Sequence, residues 1–392
     1  MPNTAFATRS GETVKSLSDS GQLKPFYNIT SAMRPIVEIE AKGEVLVLCS
    51  NNYLGLADHP KVIEAGIQGL KDYGAGTASV RFICGTLKCH RDLEAKIANF
   101  LGTESSLSYV SCWNANEAVF PTLVGPEDVI LSDELNHASI IDGMRLMSKK
   151  VTKKVYRHSD IEQLETLLQE TQSHPVRWVV TDGVFSMEGD VAKLPELAAL
   201  CKQYDAMLVV DDSHGVGVLG KTGRGTHEHF GMPGSDIDVF TGTLGKALGG
   251  AAGGYVAASK DAIASLEQKA RPSLFSNALP ATVAYSAAAA LDVVDSEPEI
   301  VGRLHSNVQK IRDGLAERGF DCTPSPTAII PIMIGDEAEA IKKSAKLFEM
   351  GVMVIGFGFP VVPKGEARLR VQVSAALTDA HIEQALDAFA KL

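Results

Sequence analysis

The sequence lacks long hydrophobic runs and an excess of positive charge. Nothing in its 392 residues approaches the roughly 18 consecutive apolar residues of a membrane-spanning helix, so we expect no membrane span. Lys and Arg number 37 against 48 Asp and Glu, which gives a formal net charge of −11. This balance excludes the broad cationic surface that binds nucleic acid or anionic membranes. The opening MPNTAFATRS has no apolar segment of signal-peptide length, which argues against secretion, while a mitochondrial presequence stays open.

Cysteine is also sparse. The chain has six cysteines, scattered rather than dense as in a small disulfide scaffold, which favours reduced thiols and a cytoplasmic location. Cys84, Cys89 and His90 lie close together, but no second Cys or His pair stands nearby at zinc-ligand spacing. We therefore expect no metal site.

Short β-branched runs alternate with longer amphipathic stretches, and this alternation predicts a parallel α/β sheet. The predicted strands begin at Val45, Ser105, Val129, Arg177 and Ala206. Helical spacing of apolar residues predicts crossover helices over residues 90–100, 161–171 and 194–204.

The pattern changes after Pro280. An Ala-rich helix is followed by a strand from Ala328, a helix through Phe348 and a strand from Arg368. This change predicts a separate, smaller C-terminal domain. We expect an N-terminal arm over residues 1–45, a large domain over 46–283 and a small domain over 284–392.

A glycine-rich segment follows one predicted strand. GVGVLGKT at residues 215–222 matches the phosphate-loop pattern, and its glycines also match the dinucleotide-binding fingerprint. Both motifs work by opening a helix, whereas the next residues, GRGTHEHFGMPGS, contain four glycines and a proline. We interpret the segment as a loop leaving a strand, with a nucleotide-binding protein as the outside alternative.

A stronger signal surrounds the same strand. Asp211 and His214 follow the apolar run AMLVV, at the strand end where open α/β sheets bind ligands. About thirty residues later, TGTLGKALGGAAGGY contains Lys246 as its only cation. Together with Thr243, these residues favour a functional lysine over a solvated one.

Eight segments in this order resemble the fold-type-I pyridoxal-phosphate enzymes, and within them the α-oxoamine synthase family. They cover nearly the whole chain: SNNYLGLADHP, GAGTASVRFICGT, LNHASIIDG, TDGVFSMEGD, VVDDSHGVGVLG, TGTLGKALGG, RPSLFSN and PVVPKGEARLRVQ. The resemblance implies an α/β fold with a mostly parallel seven-stranded sheet flanked by helices, plus a smaller α+β C-terminal domain. It also implies a homodimer with shared active sites.

The resemblance implies pyridoxal 5'-phosphate as cofactor, held by Lys246 as a Schiff base. Asp211 would keep the proton on the pyridine nitrogen, and His214 would contact the phenolic oxygen. His137 would stack on the ring and polarise the acyl donor, while Lys246 would also serve as base and acid. The other cofactor-binding residues implied are Cys112, Trp113, Ser186 and Thr243, with Ser276 and Asn277 contributed by the neighbouring subunit.

Arg370 matches the family arginine that clamps the amino-acid carboxylate, a task that suits a planar guanidinium. The same resemblance assigns Asn51, His137 and Ser186 to substrate binding. Arg368, two residues before Arg370, is predicted to face the opposite way and to be a structural salt-bridge partner.

The resemblance implies a decarboxylative-type Claisen acyl transfer that condenses glycine with acetyl-CoA to 2-amino-3-ketobutyrate and CoA. Val80 stands where members that use succinyl-CoA carry a threonine, and its methyl groups cannot hydrogen-bond a succinyl carboxylate. The alternative is a member of the serine palmitoyl or 8-amino-7-oxononanoate type, with a longer acyl-CoA or another amino acid. The chain departs from the closest pattern at Trp113, Asn114, Glu117, Ala118 and Leu377.

Overall fold

The computed structural model describes residues 3–20, 22–359 and 361–392. Met1, Pro2 and Gly21 of the predicted arm and Pro360 of the last motif lie outside the described residues. The strands are β1 Ile36–Ile39, β2 Gly43–Val47, β3 Ser105–Tyr109, β4 Val129–Asp133, β5 Thr152–Tyr156, β6 Arg177–Asp182, β7 Met207–Asp211, β8 Val239–Thr243, β9 Gly254–Ala258, β10 Ile329–Gly335, β11 Val352–Met353, β12 Ile355–Phe357 and β13 Ala367–Gln372. The α-helices are α1 Thr4–Asp19, α2 Pro60–Tyr73, α3 Lys88–Leu101, α4 Cys112–Leu123, α5 Ala138–Arg145, α6 Ile161–Glu170, α7 Leu194–Gln203, α8 Thr226–His229, α9 Lys260–Lys269, α10 Arg271–Phe275, α11 Ala281–Ser296, α12 Glu299–Glu317, α13 Glu337–Glu349 and α14 Asp379–Phe389.

A seven-stranded sheet forms the centre of the molecule. Its strand order is β3-β9-β8-β7-β6-β4-β5, and only β9 runs antiparallel to its neighbours. Strands β4 and β6 are buried at every position, because helices cover both faces of the sheet. The predicted, mostly parallel seven-stranded sheet is confirmed. The three predicted helices are present as α3, α6 and α7. Helices α6 and α7 connect parallel strands of this sheet, whereas α3 precedes its first strand, β3.

The prediction that the strand from Val45 joins this sheet is wrong. That strand, β2, lies in a separate three-stranded sheet between antiparallel β1 and parallel β11. Leu46 of β2 pairs with Val352, about three hundred residues away in the chain. A short apolar run indicates that a strand is buried, but it carries no information about a partner so distant in sequence.

The C-terminal part contains the antiparallel sheet β10-β13-β12 and helices α12 to α14. The strands from Ala328 and Arg368 and the helix ending near Phe348 are confirmed as β10, β13 and α13. Helix α12 was not predicted. The expected boundaries at residues 45 and 283 fall inside β2 and α11, and the division into three units stays a prediction.

The glycine-rich segment is a loop, as interpreted from sequence. Residues 215–225 form turns, and the helix that follows, α8, has only four residues. Gly217, Gly220, Gly223 and Gly225 have φ between 76° and 109°, which L side chains rarely adopt. The glycines therefore shape a strand-to-helix turn. In the part of the chain that the structure describes, no helix is long and apolar enough to cross a membrane.

Candidate active site

Asp211 ends β7 at the carboxyl edge of the sheet and is 4% exposed. Its Oδ2 accepts a hydrogen bond from Asn116 Nδ2 at 2.7 Å, and its Oδ1 accepts one from the Ser213 amide at 3.0 Å. Burial acts to raise the pKa of Asp211, but these hydrogen bonds act to lower it, and the net shift of the pKa is downward. The carboxylate is therefore ionised at neutral pH in a dry environment.

Lys246 follows β8 in a loop of small residues and reaches the same edge of the sheet. Its Nζ lies 2.8 Å from His214 Nε2, and His214 Nδ1 lies 2.8 Å from the Tyr53 hydroxyl. Burial lowers the pKa of Lys246, although Asp211 acts in the opposite direction. Burial holds the pKa of His214 well below its usual value.

Arg370 on β13 brings a guanidinium to this group of residues from the C-terminal sheet. Its Nη1 donates to the Ser186 carbonyl at 2.8 Å, and its Nη2 donates to Gln372 Oε1 at 3.2 Å. Arg370 Nε is buried without a hydrogen-bond partner among the described residues. An unpaired buried N–H of a cation is a suitable donor for an incoming carboxylate.

The expectation that Arg368 faces away from Arg370 is wrong. Side chains alternate along a strand, so residues two apart share a face, and both arginines contact residues 186–188. The salt-bridge role expected for Arg368 is confirmed, because its guanidinium pairs with Glu188 at 3.2 Å and Glu366 at 3.1 Å.

His137 is the N-cap of α5 and lies exposed beside the sheet edge. Its amide donates to Asp182 Oδ2 at 3.0 Å, and its Nδ1 lies 2.7 Å from Ser139 Oγ. The Trp113 ring meets the imidazole edge-on, with the ring centroids 6.1 Å apart. These contacts fix the orientation of the ring, and its stacking role stays a prediction.

Cys112 and Trp113 are the first two residues of α4, where amide groups have no partner inside the helix. Ser111 caps the helix by accepting from the Asn114 amide at 3.2 Å. Thr243 ends β8, and its hydroxyl donates to the Gly253 carbonyl at 3.2 Å and accepts from the Gly245 amide at 3.1 Å. A helix N-terminus is suited to an anionic group such as a phosphate.

Ser276 and Asn277 stand apart from these residues. With Asn114 they line a narrow crevice near Arg81, and Asn277 forms an antiparallel bridge with Val80. Among the described residues, neither side chain hydrogen-bonds with Lys246, Asp211 or Thr243. The single chain therefore does not gather them with the other predicted residues.

Sequence reasoning missed three residues that join the site. Asn116 donates to both Asp211 and Ser139, so it connects the carboxylate with the His137 cap. Gln372 Nε2 donates to the Tyr53 hydroxyl at 2.8 Å and to Asn51 Oδ1 at 2.5 Å. Tyr53 and Gln372 lie inside motifs quoted above, in YLGL and RLRVQ, but nothing in their spacing shows that they meet.

The chemistry of these donors fits pyridoxal phosphate. An ionised, buried carboxylate suits a protonated ring nitrogen, and an amine of lowered pKa suits an aldehyde. The unpaired amides of the first turn of α4 suit a phosphate. All three kinds of group lie at one edge of one sheet, where ligands of open α/β sheets bind.

Residues 43–389 match the aminotransferase class I and II family. The chain belongs to this family. An SPT structure with PLP is 30% identical, with a TM-score of 0.91, and the alignment covers 97% of this chain and 95% of the other.

Within the family, the chain is similar to 2-amino-3-ketobutyrate coenzyme A ligase of Escherichia coli (strain K12). The two are 46% identical over 95% of this chain and 93% of the relative. The 8-amino-7-oxononanoate synthase of Symbiobacterium thermophilum is 44% identical over 97% of this chain and 96% of the relative.

Proposed function

We propose that the protein transfers the acetyl group of acetyl-CoA to glycine, giving 2-amino-3-ketobutyrate and CoA. The observation that carries the proposal is geometric: Lys246, ionised Asp211 and the unpaired Nε of Arg370 lie together at one edge of the sheet. The chain is also 46% identical to a 2-amino-3-ketobutyrate coenzyme A ligase. The 8-amino-7-oxononanoate synthase reaction is the second candidate, because the identity to that relative is 44%.

Pyridoxal phosphate is the cofactor of this protein. The family match and the similarity to an SPT structure that contains PLP support this. Lys246 would hold it covalently, Asp211 would pair with its ring nitrogen and His214 would contact its phenolic oxygen. Thr243 and the amides of Cys112 and Trp113 would bind its phosphate. Bound there, the cofactor supplies an electron sink that acidifies the α-carbon of an amino acid.

The protein's own residues would bind and orient the substrate. Arg370 would bind the glycine carboxylate through Nε, the donor that no described residue occupies, with Asn51 and Ser186 beside it. The Lys246 amine would take the α-proton of glycine, and His137 would polarise the thioester carbonyl.

The atoms of the reaction balance without loss of carbon dioxide. The bond between the acetyl carbonyl carbon and sulfur breaks, a bond from that carbon to the glycine α-carbon forms, and CoA leaves as a thiol carrying the proton. The product keeps the glycine carboxylate, so the decarboxylative description expected from the sequence does not apply to this step.

We also propose a homodimer in which a second copy covers the surface around Ser276. Phe275 is 70% exposed, and α10 packs on residues 81–85, where Phe82 and Ile83 are 63% and 67% exposed. Three large apolar side chains exposed together are unusual on a surface that faces water. Covering them would place Ser276 and Asn277 at the edge of the partner's site.

A reducing compartment such as the cytoplasm suits the chain. All six cysteines lie within the described residues and are free. Burial raises the pKa of Cys49 to about 11 and of Cys201 to about 12, which keeps both as inert thiols.

The proposal is tested by measuring CoA release from the purified, cofactor-loaded protein. Glycine, serine and alanine are each combined with acetyl-, succinyl-, pimeloyl- and palmitoyl-CoA. We expect the highest kcat/KM with glycine and acetyl-CoA. A preference for alanine with pimeloyl-CoA would support the second candidate and refute the first.

A further inference from the structure

A continuous chain of hydrogen bonds connects Arg370 to Lys246. It runs from Arg370 to Gln372 at 3.2 Å, to Tyr53 at 2.8 Å, to His214 at 2.8 Å and to Lys246 at 2.8 Å. Tyr53 and Gln372 are 1% and 2% exposed, so water does not compete for these bonds. The chain links the predicted carboxylate clamp to the predicted cofactor lysine.

The guanidinium sets the direction of donation at the first two links. Arg370 has only donors, so Gln372 must turn its Oε1 toward Arg370 Nη2. The amide nitrogen of Gln372 then points the other way. Its two hydrogens are donated to the Tyr53 hydroxyl and to Asn51 Oδ1.

The direction of hydrogen-bond donation continues from Tyr53 to His214. Because its hydroxyl oxygen accepts from Gln372, its own hydrogen is free to be donated elsewhere. The nearest acceptor is His214 Nδ1 at 2.8 Å, whereas Asn51 Oδ1 is 3.4 Å away and already accepts from Gln372. His214 therefore accepts at Nδ1, and a neutral imidazole carries its single proton on Nε2.

This proton faces Lys246. An ammonium group has only donors, so it would oppose the Nε2–H hydrogen across 2.8 Å. A neutral amine has a lone pair and can accept it. The lowered pKa of Lys246 and of His214, both caused first by burial, agrees with a neutral pair.

The charged groups that face Lys246 act in both directions. Asp211, Asp182 and Cys112 favour the ammonium, whereas Arg370 disfavours it. Asp211 is already satisfied by Asn116 and Ser213, and burial holds the pKa of Asp182 well above its usual range. The direction of donation along the hydrogen-bond chain is therefore an additional factor that favours the amine.

We propose that Tyr53 and Gln372 are positioning residues that transmit the donor character of Arg370 to His214 and so hold the Lys246 amine unprotonated. This inference rests on the proposed function for the role of Lys246 as the cofactor-bearing amine. An unprotonated amine attacks the cofactor aldehyde at neutral pH, and the same amine is a base when it is released from the cofactor.

The test is the rate at which the full chain, freed of cofactor, takes up pyridoxal phosphate between pH 7 and pH 9, followed by absorbance. A lysine of ordinary pKa has roughly one neutral amine in 2,500 at pH 7, and that fraction rises about tenfold per pH unit. We expect the wild-type rate to change less than about threefold over this range. In Tyr53→Phe the rate should instead rise steeply over the same range, by up to about 100-fold if the amine is fully protonated at pH 7.

Gln372→Glu tests the direction of donation with almost no change of shape. A carboxylate still accepts from Arg370 but also accepts from Tyr53, so His214 Nδ1 loses its donor. We expect the steep, Tyr53→Phe-like profile. Tyr255→Phe is the matched control, because its hydroxyl is buried without a partner among the described residues, and its profile should follow the wild type.

The outcomes separate this inference from the proposed function. If the profiles of Tyr53→Phe and Gln372→Glu superimpose on the wild type in folded protein, the inference is refuted. If either folded variant is steep and Tyr255→Phe is flat, it is supported. Cofactor uptake uses neither glycine nor acetyl-CoA. If the wild type shows a flat pH profile of cofactor uptake but releases no CoA from glycine and acetyl-CoA, only the proposed function is refuted.

Discussion

Two sides of the candidate site differ in how complete they are within one chain. On the Asp211 side, formed by Asp211, Lys246 and His214, buried partners satisfy the carboxylate and both ring nitrogens. On the Phe275 side, formed by residues 81–85 and 275–277, large apolar side chains face water, and Asn277 is exposed.

The difference shows that the reacting groups and the wall that encloses them have different requirements. Groups that hold or move protons need fixed partners and low dielectric, and one chain supplies both on the Asp211 side. The Phe275 side has apolar area but no cover. We infer that the reacting groups are organised in each subunit, whereas the dimer would complete the wall around them.

The largest effect is expected on the Asp211 side. Lys246→Ala removes both the anchor and the base, so we expect kcat for CoA release to fall at least about 1,000-fold, with the oligomeric state unchanged. Lys260→Ala, a change at an exposed residue of α9, is the control and should retain activity. Activity above about a tenth of wild type in Lys246→Ala would contradict the assignment.

Phe275→Glu tests the other side. Placing a carboxylate in an apolar contact should weaken self-association about 100-fold, roughly 3 kcal/mol, as measured by analytical ultracentrifugation. Activity should then depend on protein concentration. The control is Val155→Glu on the outer strand β5, where the side chain is 59% exposed and should tolerate the charge. An unchanged dissociation constant in Phe275→Glu would place the interface elsewhere.

Two arginines of β13, Arg368 and Arg370, give a further contrast next to the Asp211 side. Arg370→Ala should raise the KM for glycine about 10- to 100-fold, because it removes a carboxylate donor. Arg368→Ala should instead lower the stability by roughly 2 kcal/mol, because Glu188 loses its partner. If glycine saturation is unchanged in Arg370→Ala, its clamp role is refuted.

The smallest effect on activity is expected for the loop that carries Ser186, where a prediction about stability can be made. His158 lies 3.1 Å from Asp133 and 2.8 Å from Asp190, and burial opposes its charge, but these hydrogen bonds raise the pKa to about 10. A group whose pKa is raised by folding adds to the free energy of unfolding. The whole contribution is present below the pKa of the unfolded histidine, near 6.5, and it is lost as the pH rises toward 10.

We therefore expect the wild type to lose up to about 3.5 kcal/mol of unfolding free energy between pH 7 and pH 10, and His158→Gln to lose less. Urea unfolding at several pH values measures the difference between the two proteins. Equal pH dependence in both would show that other groups carry it.

The sequence alone predicted four of the seven strands of the central sheet, β3, β4, β6 and β7, together with helices α3, α6 and α7 and the family. Apolar periodicity reports burial, which is a local property, and the eight motifs are contiguous segments. Lys246, Asp211, His214 and Arg370 could be chosen because each stands in such a segment, and the structure brings these four together.

Only the tertiary structure decided which segments meet. It placed β2 beside β11, put Arg368 and Arg370 on one face, and brought Tyr53 against Gln372, a residue 319 positions away. Contacts between residues so far apart depend on the packing of two sheets, and the spacing of a motif carries no record of that packing. The direction of a hydrogen-bond chain is likewise fixed by atoms that only the folded chain makes neighbours.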